Sequence, residues 1–132
     1  MRVAVVCLHT DPFAAPGSGD VGGMNVVVRH TCAALAKQGV ELTVVTRWND
    51  PAAARAEMID GVHVRRLEAG PIRVVPKGEN EKYIDEFSER LSQLTASGEI
   101  APFDLYHSHH WFSGMAALPV ARAAGAPHVQ SF

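Results

Sequence analysis

A doubly wound parallel α/β sheet is the fold class that the sequence predicts, and three features carry the prediction. Residues 3–8 are a short, unbroken apolar run rich in valine, the pattern of a strand buried on both faces of a parallel sheet. Further strand-like runs at residues 40–46, 62–67, 103–108 and 127–132 alternate with stretches of helical periodicity. The connections are short enough for right-handed crossovers between parallel strands.

In chain order, residues 3–8 give the first strand and residues 9–21, rich in Pro and Gly, a long loop. Met24, Val27, Val28, Thr31 and Leu35 then recur at helical spacing, and Gly39 supplies the stop. Residues 40–46 are the second strand. A third, alternating at Val62 and Val64, follows an Ala-rich stretch to which no form is assigned. Ile84, Phe87, Leu91 and Leu94 mark an amphipathic helix ending near Gly98. After the fourth strand at 103–108, residues 113–124 form a helix that Pro119 must kink or delay, and residues 127–132 begin a fifth strand.

The 132 residues hold one domain with a real core, and a second does not fit. Hydrophobic residues make up 47% and charged ones 20%, an ordinary globular balance. Twelve Lys and Arg against fourteen Asp and Glu leave a formal charge of −2, so no footprint for nucleic acid or an anionic membrane stands out. Cys7 and Cys32 read as reduced core thiols of a cytoplasmic protein. The apolar opening is too short for a signal peptide, and no segment approaches a membrane span. The chain stops at Phe132 inside an apolar strand, so a fragment of a longer protein is expected.

In an open α/β sheet, ligands bind beyond the carboxyl ends of the strands. His9 and Thr10 follow the first strand, Arg47 the second, and residues 107–110 the fourth. The run Pro16-Gly17-Ser18-Gly19-Asp20-Val21-Gly22-Gly23-Met24-Asn25 carries the strongest signal. Gly22 and Gly23 open a helix whose unpartnered N–H groups and dipole favour an anion such as a diphosphate. A flexible surface loop with a glycine-rich helix start has the same composition. Gly17, Gly19 and Gly22 also spell the dinucleotide-binding fingerprint, but residues 9–16 separate them from the strand. Thr46-Arg47 replaces the ribose-binding acid, which leaves an NADP-dependent oxidoreductase as an alternative.

His107 and His109 share a face of their strand, a metal-like spacing without further ligands, so no metal is expected. Either can equally be a satisfied core histidine. Lys77 stands on a loop after the third strand, and its physics alone does not separate a ligand contact from an ordinary solvated lysine.

Taken together, His9-Thr10, the glycine run, Ala69-Gly70-Pro71 with Lys77, and His107-Ser108-His109-His110-Trp111-Phe112-Ser113-Gly114 resemble one family. It is the family of retaining glycosyltransferases that includes sucrose-phosphate synthase and the inositol-phosphate N-acetylglucosaminyltransferase of mycothiol synthesis. The resemblance runs from Met1 to Phe132 and implies the amino-terminal, acceptor-side Rossmann-like domain of a GT-B fold. A second domain, outside the chain, would bind the nucleotide-sugar. It implies metal-independent transfer with retention from a nucleotide-diphosphate sugar, expected to be a UDP-sugar, to a small hydroxylated acceptor that can carry a phosphate. Gly22 and Gly23 would lie on the donor side. His9, Asp20, Asn25, Lys77 and His110 would line the acceptor side, with Thr10 and His109 as further candidates and Lys77 pairing with an acceptor phosphate. No cofactor is implied. Self-association and a non-catalytic nucleotide- or sugar-phosphate-binding module stay open. One departure stands out: His110 occupies the place of a Tyr in the two named relatives. With an ordinary imidazole pKa near 6.5, His110 is expected to add a phosphate contact that fades as pH rises through neutrality.

Overall fold

The computed structural model describes residues 1–14 and 23–132. Its centre is a six-stranded sheet in the order β3-β4-β2-β1-β5-β6. The strands are β1 (Arg2–Cys7), β2 (Glu41–Arg47), β3 (Ala56–Ile59), β4 (Val62–Leu67), β5 (Leu105–His109) and β6 (His128–Ser131). All neighbours pair in parallel except β3 and β4. Among the described residues three helices complete the layers: α1 (Gly23–Lys37), α2 (Ile84–Ala96) and α3 (Trp111–Ala124), with a 3-10 turn at Lys77–Tyr83 leading into α2.

The continuous apolar run of β1 is explained by burial on both faces. Val3, Val5 and Cys7 pack with Val28 and Cys32 of α1, while Ala4, Val6 and Leu8 pack with Phe87 and Leu91 of α2 and Ala117 of α3. Alternate residues of one strand therefore feed two separate cores. Both cysteines are buried thiols. Burial pushes Cys32 up to about 11 and Cys7 higher still, so neither is a ready nucleophile.

The structure gives a form to one unassigned stretch and corrects two sequence expectations. The stretch before β4 is an antiparallel edge strand, closed by a two-residue turn in which Asp60 (φ 53°) and Gly61 (φ 77°) are both left-handed. That is the type I′ hairpin geometry, which favours an Asp-Gly pair. The buried face of α1 is Asn25, Val28 and Cys32, whereas Val27 and Leu35 are exposed. The run Val26-Val27-Val28 fits more than one helical phase, and the spacing of Val28, Cys32 and Ala36 settles it. Finally, α3 starts at Trp111 and passes through Pro119 without a delayed start. Pro119 and Met115, whose carbonyl it leaves without a helical partner, both lie on the exposed side.

The chain leaves β1 for β2 through α1 on one side of the sheet, and later returns to place β5 on the other side of β1. The strand order thus reverses between β1 and β5. A crevice opens beyond their carboxyl ends at such a switch point.

Candidate functional site

Two histidines meet at that crevice. His9 follows β1 and His110 follows β5, and their rings lie 4.5 Å apart between centroids. Phe112, on the first turn of α3, backs both rings at 6.1 and 4.5 Å. His110 caps α3, its Nδ1 accepting from the Phe112 N–H at 3.4 Å. Its backbone sits at φ 70°, ψ 152°, a region almost reserved for glycine and held only where the surroundings over-determine it. Those surroundings are visible: the His110 N–H donates to the Ser131 carbonyl at 3.0 Å, and its carbonyl accepts from Gln130 Nε2 at 3.0 Å. A Cβ on Gly114 would meet the end of the Gln130 side chain, which would have to shift to admit it.

Burial, then the positive charge of Lys77, holds the His110 imidazole below its ordinary pKa. Both causes favour the neutral ring and move its titration toward the acid side of the ordinary value.

His109 goes elsewhere. It stacks on His107, with centroids 4.4 Å apart, and burial followed by the His107 charge pushes it down to about 4. His107 is itself satisfied by Ser131 Oγ at 2.8 Å. Among the described residues, no group of three or more His, Cys, Asp or Glu is arranged to hold a metal ion.

The loop after β1 is fixed by buried polar groups. Asn25 Nδ2 donates to Thr10 Oγ1 at 2.7 Å, tying the first turn of α1 to this loop, and Thr46 Oγ1 donates to the Thr10 carbonyl at 3.1 Å. Asp11 and Arg66 form a buried ion pair at 2.7 Å, with side chains 3% and 2% exposed. Glu57 and the Ala54 carbonyl take the remaining arm of Arg66. These contacts make one wall of a cleft of about 950 Å³, lined by His9, Thr10 and Phe13 on one side and by Val74, Val75 and Lys77 on the other.

Gly23 is the first residue of α1, and a Cβ built there meets nothing within 4 Å among the described residues. Asp20, Gly22 and the glycines of the dinucleotide-like spacing lie outside the described residues.

Arg47 does not serve the NADP reading. Its side chain is buried and its guanidinium donates to the carbonyls of Ala69, Pro71 and Arg73 and to Asn80 Oδ1. Sequence reasoning missed this role, and that of Arg66 with Asp11. A periodic pattern reports which face a residue occupies, but not which distant group it meets.

The match to the glycosyl transferase 4-like domain covers residues 22–132. The chain is 39% identical over 131 residues to a D-inositol 3-phosphate glycosyltransferase of Pseudarthrobacter chlorophenolicus, covering 98% of this chain and 31% of that protein. It is 41% identical over 131 residues to D-inositol 3-phosphate glycosyltransferase 1 of Catenulispora acidiphila, covering 98% and 30%. The chain thus spans about a third of the length of these relatives. Among solved structures, a sucrose-phosphate synthase from Thermosynechococcus elongatus superposes with a TM-score of 0.85 at 26% identity, over 99% of this chain and 32% of that one. The catalytic domain of starch synthase IV from Arabidopsis thaliana shares the fold, with a TM-score of 0.67 at 14% identity over 97% and 32%. The Rossmann-like sheet, the crevice at its switch point and the matched residues agree: the chain belongs to the glycosyl transferase 4-like domain family.

Proposed function

We propose that this chain is the acceptor-side domain of a GT-B glycosyltransferase, which moves a sugar with retention from a UDP-sugar to a small hydroxylated acceptor carrying a phosphate. The observation that carries the reading is that His9 and Lys77 line one cleft, with the His110 ring against His9. A fixed cation beside hydrogen-bonding imidazoles suits a phosphorylated polyol: Lys77 takes the phosphate, and the imidazoles take ring hydroxyls. Asn25 and Asp20 belong to the same acceptor side, with Thr10 holding Asn25 in place. The names of the relatives make D-inositol 3-phosphate the first acceptor to try.

On the donor side, Gly22 and Gly23 let the diphosphate approach the start of α1, and a second domain supplies the cationic groups that hold the leaving nucleotide. Transfer rests on aligning an acceptor hydroxyl against the anomeric carbon while that diphosphate is stabilised, and the reading needs no metal. The 132 residues alone are expected to transfer nothing. We place the protein in the cytoplasm; no described helix is long and apolar enough to cross a membrane.

The test is a transfer assay on the complete enzyme, pairing UDP-sugars with phosphorylated polyols and with their unphosphorylated counterparts. Turnover that prefers the phosphorylated acceptor supports the reading. Turnover by the isolated 132 residues would overturn the two-domain assignment.

A further inference from the structure

We propose that Arg47 is a positioning residue for acceptor recognition, fixing through Asn80 the place of Lys77 at the cleft. The inference rests on the reading of Lys77 as the acceptor-phosphate contact.

Arg47 ends β2 and is 3% exposed. Its Nη1 donates to the carbonyls of Pro71 at 2.6 Å and Ala69 at 3.4 Å, and its Nη2 donates to the carbonyl of Arg73 at 2.8 Å. Nε donates to Asn80 Oδ1 at 3.2 Å. None of these four acceptors is a carboxylate. Next to it in the sheet, Arg66, level with Thr46, has the more usual arrangement for a buried arginine, with Asp11 and Glu57 as partners. Burying a cation against neutral groups is a weak device for stability, so the geometry of the bonds is the better guide to what Arg47 does.

Those bonds span one loop. Between β4 and the 3-10 turn, residues 68–76 contain no helix or strand, and Arg47 grips this stretch at three carbonyls. Asn80 relays the grip, its Nδ2 donating to the Lys77 carbonyl at 3.0 Å and to the Pro76 carbonyl at 3.4 Å. Asn80 is 1% exposed, whereas Lys77 itself is exposed and lines the cleft. A planar five-donor fork can hold several carbonyls in a fixed relation, which a lysine ammonium cannot. With its backbone fixed to the sheet, Lys77 has only its own side-chain torsions left to order when it meets a phosphate.

The test uses the complete enzyme with saturating UDP. Calorimetry gives the Kd of D-inositol 3-phosphate and of unphosphorylated inositol, whose ratio reports recognition of the phosphate. Lys77→Ala should lower that ratio by about tenfold or more, and Asn80→Ala and Arg47→Lys by about three- to tenfold. Inositol and UDP should bind all three variants as they bind the wild type. Adding Asn80→Ala to Lys77→Ala should change the ratio no further. In parallel, amide exchange at residues 71–78 should quicken in Arg47→Lys while β1 stays protected.

A wild-type ratio in Asn80→Ala and Arg47→Lys, when Lys77→Ala has lost it, overturns the inference alone. So do effects that multiply in the double variant, or an equal loss of affinity for both acceptors, which marks a merely structural role. A wild-type ratio in Lys77→Ala overturns the acceptor reading, and this inference falls with it.

Discussion

The imidazoles of His9 and His110 stand 4.5 Å apart although one follows β1 and the other β5. Only the parallel pairing of these two strands brings them together. Their position at the switch point makes the pair a floor for whatever enters the crevice. His110→Tyr, which restores the residue of the named relatives, keeps an aromatic surface and a hydrogen-bonding tip but removes a titrating ring. Any acid-side change in acceptor KM that comes from His110 should vanish in this variant, with donor KM unmoved. A pH profile of acceptor KM from 5 to 8 for both proteins checks this.

Gly23→Val should abolish donor binding with little effect on the fold. A Cβ at this position meets nothing within 4 Å among the described residues, and the larger side chain would enter the space proposed for the diphosphate. Replacing glycine at an exposed helix start leaves stability within about 0.5 kcal/mol. Thermal melting of the variant, with UDP titration of the complete enzyme, measures both halves.

Much of the fold was legible in the sequence. Two-sided burial writes itself as an unbroken apolar run at β1, whereas the runs that gave β2 and β5 carry polar residues within them, and the Phe87, Leu91 and Leu94 spacing marked the buried face of α2. The Asp60-Gly61 turn carried a hairpin signal, but β3 is exposed along most of its length and has no apolar alternation to announce it. The rule that ligands gather at carboxyl ends brought His9 and His110 to one place, while Lys77 came only from the family resemblance. The rule could not tell His109, turned to His107, from its neighbour His110. The clamps made by Arg47 and Arg66 depend on partners in other elements, so no local pattern encodes them.

The buried pair of Asp11 and Arg66 should be costly to break. Asp11→Ala leaves a buried guanidinium with Glu57 as its remaining carboxylate partner, so a loss of about 3 kcal/mol is expected, the low end for a broken buried pair. Because Asp11 also caps the turn at Phe13, the loop that carries His9 and Thr10 should loosen as well. Urea unfolding gives the first effect, and amide exchange over residues 9–14 the second.

Stability should fall on the acid side of neutrality. His109 is pushed down to about 4, and His107, His110 and His128 are also held below the ordinary value. The unfolded chain therefore binds more protons than the folded one between about pH 6.5 and 4. The stabilisation is fully present above about 6.5 and is lost as pH drops through the folded pKa values. Melting temperature measured from pH 7 to 4.5 should decline, and His109→Gln should decline less steeply. An identical slope in the variant would remove His109 as a contributor.

The central claim is that the crevice holds a phosphorylated acceptor with its phosphate on Lys77. The most direct test is a crystal structure of the complete enzyme with UDP and D-inositol 3-phosphate. A phosphate oxygen is predicted within about 2.7–3.2 Å of Lys77 Nζ, an ordinary hydrogen-bond distance, with the inositol ring against His9 and His110. A phosphate bound away from Lys77, or an inositol ring outside the crevice between β1 and β5, would contradict the account.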